Sequence, residues 1–80
     1  MKPSELLRSG EVKWVKYLSF SPKEECAATV ISRVYPDNNH QKQVLARLRT
    51  HLGIQSIVIW NDHPDRTIEE VISAFEAIGE

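Results

Sequence analysis

Apolar positions recur at helical spacing in three stretches of this chain, and residues that start or stop a helix flank each of them. Ile68, Val71, Ile72, Phe75 and Ile78 trace one face at i, i+3, i+4, i+7 and i+10. Thr67-Ile68-Glu69-Glu70 ahead of them has the form of a capping box, with two acids at the positive end of the helix dipole, and Gly79 follows as a stop. Val44, Leu45, Leu48 and Leu52 make a second stripe over about residues 39–52, with Gly53 where a left-handed C-cap belongs. The third comprises Ala27, Val30, Ile31 and Val34, closed by Pro36 and Asp37-Asn38-Asn39. Its start is predicted at Pro22, with Ser21 as the cap and Glu24 reaching back to complete the box.

Other segments carry weaker patterns. Pro3 to Ser9 reads as a shorter helix presenting Leu6 and Leu7. Glu11 to Phe20 lacks a clean period and is read as extended. Ile54 to Trp60 is an apolar, β-branched run, either a buried strand or a tight helical turn, which periodicity does not separate at this length. The predicted fold is a mainly α bundle of three to four short helices in a single domain over residues 1–80. An α+β fold, in which 11–20 pairs with 54–60 as two short strands, is the alternative.

Composition narrows the function classes. At 80 residues the chain has no room for a two-domain enzyme, and its 41% hydrophobic and 26% charged content is ordinary for a folded domain. The longest apolar run, Ile57 to Trp60, is too short to cross a bilayer, and the first ten residues lack the apolar segment of a secretory signal. A single cysteine, Cys26, cannot form an internal disulfide. The expected location is the cytoplasm. Net charge is −1 but polarised: residues 1–60 hold nine Lys or Arg against five Asp or Glu, and residues 61–80 hold one against six.

Trp60-Asn61-Asp62-His63-Pro64-Asp65-Arg66-Thr67, with Glu70, Val71 and Phe75 beyond it, resembles the C-terminal signature of a small uncharacterised bacterial and phage family, over about residues 44–78. That signature is roughly Trp-Asn-Asp, any residue, Pro, any residue, Arg-Thr. Toward the N-terminus the chain departs from the family pattern: Trp14 is followed by Val15-Lys16 and Cys26 by Ala27-Ala28, where the family favours a Cys or Gly-rich turn and a glycine. The resemblance implies fold boundaries and no activity.

The Asn61 to Asp65 loop is the densest polar cluster. Two carboxylates beside an imidazole would suit acid/base work or a cation. Asn and Asp in a turn before a helix more commonly accept from free backbone N–H groups, and that structural role is the expectation here. His40, His51 and His63 lie eleven and twelve positions apart and match no metal-site spacing. Cys26 is expected to be a packed thiol one turn into its helix. No catalytic set, cofactor motif or metal site is predicted, and the expected function is a non-enzymatic protein-interaction module. Trp14 and Trp60 read as core anchors, although an exposed Trp14 beside Lys16 and Tyr17 would form a protein-binding surface. The candidate partner-binding residues are Trp14, Tyr17, Asp62, His63 and Arg66. The alternative is weak nucleic-acid binding by a basic face made of Arg33, Lys42, Arg47 and Arg49. The partner and the oligomeric state are not readable from the sequence.

Overall fold

A computed structural model describes residues 1–17 and 24–80. These form, in order, α1 (Pro3–Ser9), β1 (Lys13–Trp14), β2 (Glu24–Glu25), α2 (Ala27–Val34), α3 (Asn38–Leu52), α4 (Ile57–Asn61) and α5 (Ile68–Ala77). The chain is therefore mainly α, as its periodicity implies, with one small two-stranded sheet added.

The three striped segments all fold as helices. α5 starts where Thr67 Oγ1 accepts from the Glu70 N–H at 3.3 Å and the Thr67 N–H donates to the Glu70 carboxylate at 3.2 Å. Both halves of the predicted capping box are formed. α3 starts at Asp37, whose carboxylate accepts from the Asn39 N–H at 3.2 Å, and it ends at Gly53 with φ of 66°. A residue with a Cβ is strained at such a positive φ, so glycine suits this stop. α1 carries Leu6 and Leu7 into the core.

α2 departs from expectation at its start. The predicted cap at Ser21-Pro22 lies outside the described residues, and Glu24 lies in a strand rather than in the helix. Glu24 and Glu25 are instead extended and pair in parallel with β1, in the register Lys13 to Glu24 and Trp14 to Glu25. The Val15 N–H adds a bond to the Glu25 carbonyl at 3.0 Å. The helix can begin only after this pairing, so Cys26 is its N-cap rather than a residue one turn inside it. The Cys26 N–H donates to Thr29 Oγ1 at 2.8 Å, giving one free helix-start donor a partner.

Residues 54–60 resolve toward the helical turn. Ser56 caps α4 by accepting from the Ile59 N–H at 3.2 Å, which turns the chain away from an extended path. β1 thus pairs with β2 and not with this segment. The predicted pairing of 11–20 with 54–60 does not form among the described residues.

Phe75, Ile31, Leu48, Val30, Val44 and Val71 are the largest wholly buried apolar side chains. α2 lies at the centre of the packing, touching α1, α3 and α4, while α5 packs on α1 and α3. Trp14 and Trp60 sit half-buried at the edge of this core. No helix among the described residues is long and apolar enough to cross a membrane.

Candidate functional site

Asn61, the last residue of α4, is wholly buried and uses its entire carboxamide. Its Oδ1 accepts from the Trp14 indole N–H at 2.6 Å and from the Ala27 N–H, the first of α2, at 3.0 Å. Its Nδ2 donates to the Val15 carbonyl at 3.0 Å and to Asp62 Oδ1 at 3.1 Å. One side chain thus joins β1, α2 and α4, and no hydrogen-bonding position of the amide is left over. Asp62 also accepts from the Tyr17 N–H at 2.9 Å. The structural role expected for Asn61 and Asp62 is therefore present, with different partners. They were expected to cap the start of the last helix, which Thr67 caps instead, and they hold β1 and the start of α2.

The remainder of the loop is similarly engaged. Arg66 lays its guanidinium 4.0 Å from the centre of the Trp60 ring, donates Nε to the Trp60 carbonyl at 2.9 Å and pairs through Nη1 with Glu70 at 2.8 Å. That hydrogen bond from Arg66 holds the Glu70 carboxyl below the usual carboxylate range. His63 Nδ1 accepts from the Asp65 N–H at 3.1 Å, and Lys16 Nζ donates to the Pro64 carbonyl at 2.6 Å.

Against this ordered frame, the exposed apolar side chains stand out. Four large ones are exposed among the described residues: Met1, and then Tyr17 at 70%, Val58 at 50% and Ile59 at 76%. The last three gather around α4, because Val58 and Ile59 lie on it and the Tyr17 backbone is bonded to Asp62 at its end. Tyr17 adopts a positive φ of 53°, a conformation that costs a non-glycine residue energy and is held here by that bond. Beside Ile59, a shallow concavity of about 440 Å³ is lined by Ile54, Gln55, Ile59, Trp60, His63 and Arg66 among others. The structure thus brings Trp14, Tyr17 and Asp62 together through the hydrogen bonds of Asn61 and Asp62, and it places His63 and Arg66 on the concavity beside Ile59.

Val58 and Ile59 are not among the residues singled out from the sequence, where Ile54 to Trp60 reads as either a buried strand or a tight helical turn. The missing signal is geometric. Four consecutive apolar residues on a helix span more than one face, so a helical turn with one buried side must turn some of them outward.

A model of a family of unknown function, DUF6197, matches residues 14–80. The chain belongs to this family. The region matched to DUF6197 begins at Trp14 and so contains both ends of the Trp14–Asn61 bond, the whole α4 face and every element after α1. No curated protein and no solved structure matches the chain.

The basic residues also lie within the DUF6197 region, but they do not form one free surface. Arg33 is bound to Glu25, whose side chain is only 8% exposed, with Nε at 2.6 Å from Oε1. Arg47 donates to the Ile78 carbonyl at 3.0 Å and to Glu80 at 2.5 Å. The side chains of Lys42 and Arg49 have no hydrogen bond or ion pair among the described residues. Glu80 is the centre of a second polar cluster. Tyr35 donates its hydroxyl to Glu80 in a short bond, and Ser4 donates both N–H and hydroxyl to the Glu80 carbonyl oxygen, at 3.0 and 2.9 Å. Burial pushes the Tyr35 hydroxyl up to about 12, and its bond to the Glu80 carboxylate adds to the rise. Burial also works to raise Glu80, yet the bonds from Tyr35 and Arg47 outweigh it and hold the carboxyl below its ordinary range.

Proposed function

We propose that this chain is a non-enzymatic protein-recognition module whose contact surface is the exposed face around α4. The observation that carries this reading is the gathering of Tyr17, Val58 and Ile59, three of the four exposed large apolar side chains among the described residues, around one five-residue helix. Aromatic side chains are enriched at protein interfaces, and exposed apolar groups that cluster on a surface mark such sites. The chemistry of the polar loop supports the same reading. Asn61 spends its whole carboxamide, and Asp62 its Oδ1, on hydrogen bonds within the fold, so the amide is not open to a substrate. The lone, buried Cys26 suits a reducing compartment, and we place the module in the cytoplasm.

Ile59→Asp tests the reading. Its side chain is 76% exposed, so the substitution leaves stability close to that of the parent. Affinity capture from extract with the parent chain is expected to retain a partner that the variant loses at equal urea midpoint. Equal capture by both chains would remove the α4 face from consideration.

A further inference from the structure

We infer that the partner presents an acidic, amphipathic segment to the α4 face, an inference that rests on the protein-recognition reading above. The groove beside Ile59 continues through Ile54 and Gln55 into a second concavity of about 510 Å³ that reaches Arg49 and Thr50 on α3. Ile54, Ile59 and Trp60 supply the apolar part of this continuous surface, and Arg49, His63 and Arg66 supply its charged or ionisable part. Among the described residues lining the two concavities there is no Asp or Glu. Glu69 and Glu70 line a further concavity that shares Trp60 and Arg66 with the first, so the acid-free stretch of the surface runs from Arg66 toward Arg49.

The two arginines still have donors to give. The Arg49 guanidinium has no acid partner among the described residues. Arg66 uses Nε on the Trp60 carbonyl and Nη1 on Glu70, which leaves Nη2 to meet an incoming carboxylate. A segment with large apolar residues on one side and carboxylates flanking them would therefore seat the first on Ile54, Ile59 and Trp60 and the second on Arg49 and Arg66. A second copy of this chain is a poorer occupant. Three exposed apolar side chains fall well short of the roughly 800 Å² per partner that a standard stable interface buries.

Selection from a random-peptide display library on the parent chain, with Ile59→Asp as the counter-target, decides the matter. The expected result is enrichment of sequences that intersperse Asp or Glu with large apolar residues. A synthesised member should bind about two- to fivefold more weakly to Arg49→Gln, the range an exposed ion pair contributes, and should weaken as salt is raised. Enriched peptides that are neutral or basic, or that bind Arg49→Gln as well as the parent, would overturn the acidic assignment and leave the protein-recognition reading standing. No enrichment over the counter-target would overturn both. Two further measurements on the parent chain can also overturn the proposal. A concentration-dependent dimer in sedimentation that Ile59→Asp abolishes would assign the face to a second copy. Flotation with phosphatidylglycerol vesicles that the same substitution abolishes would assign it to lipid.

Discussion

The Trp14 indole donates to the Asn61 carboxamide oxygen across 47 positions of sequence, and the same oxygen accepts the first N–H of α2. β1 and α2 are thereby fixed to one atom at the end of α4. The bond lies among groups that water cannot easily replace, since Asn61 is wholly buried.

Asn61→Ala is expected to cost about 2–4 kcal/mol, because the Ala27 N–H, the Val15 carbonyl and the Trp14 indole all lose a partner. In a chain whose total stability is on the order of 5 kcal/mol, that is most of it. Urea unfolding followed by tryptophan fluorescence measures the loss, and a midpoint close to the parent's would show that water satisfies these groups.

Asn61→Asp separates the donor from the acceptor half of the site. At neutral pH the new carboxylate would face the Val15 carbonyl and Asp62 Oδ1, now 3.0 and 3.1 Å from a donor. Its folded-state pKa is therefore raised above the unfolded value, so its contribution is best at low pH and is lost as pH rises. The deficit relative to the parent should be largest at pH 7 and shrink toward about pH 4, near the ordinary carboxyl value. Paired urea titrations at the two pH values test this, and a pH-independent deficit would count against the proton donor's role.

Thr67→Ala is expected to cost about 1 kcal/mol by removing the hydroxyl that accepts from the Glu70 N–H at the start of α5. Thr67→Ser, which keeps the hydroxyl, should recover most of that loss in the same denaturation experiment. Equal midpoints for parent and alanine variant would show that the cap adds nothing.

The Tyr35–Glu80 pair predicts a loss of stability at both ends of the pH scale. Glu80 has a folded-state pKa below its ordinary 4.5, so its contribution is present above that value and disappears as pH falls through the folded one. Tyr35 is raised from 10.0 to about 12, so its contribution is intact below pH 10 and is lost as pH climbs toward 12. Tyr35→Phe should flatten the alkaline part of a melting-temperature profile. An alkaline slope identical in parent and variant would exclude Tyr35 as its source.

Gel shift at low salt is expected to show no retardation of duplex DNA or RNA that depends on Lys42 and Arg49. Binding driven by phosphate contacts needs several free cations, and Arg33 and Arg47 are held by Glu25 and Glu80. A salt-sensitive shift abolished by Lys42→Gln with Arg49→Gln would revive the nucleic-acid reading.

α3 and α5 are legible in the sequence because their caps, stripes and stops all lie within a few residues of one another. Thr67 with Glu70 at the start of α5, and Gly53 at the end of α3, specify helix limits locally, whereas Asp37 reads as the close of the preceding helix and in the fold caps α3. β2 is not legible, since Glu24 and Glu25 look like first-turn acids until β1 lies beside them. Local capping preference yields there to a pairing between distant residues. The role of Asn61 is half legible. Its residue type points to backbone hydrogen bonds, but its partners at positions 14, 15 and 27 are visible only once the chain is folded. The engagement of Arg47 by Glu80 is hidden for the same reason, with 33 positions between them.

α4 has only five residues, too few to persist as a helix in isolation. Ser56 holds its first turn and Asn61 bolts down its last, so Val58 and Ile59 stand on a short peg clamped at both ends. Under the proposed recognition role, a partner arriving at this peg would meet a surface whose backbone entropy is already lost, and less of the association energy would go into ordering it. Loosening Asn61 would therefore weaken recognition without touching a single contact residue, because the peg would have to be re-formed at every encounter.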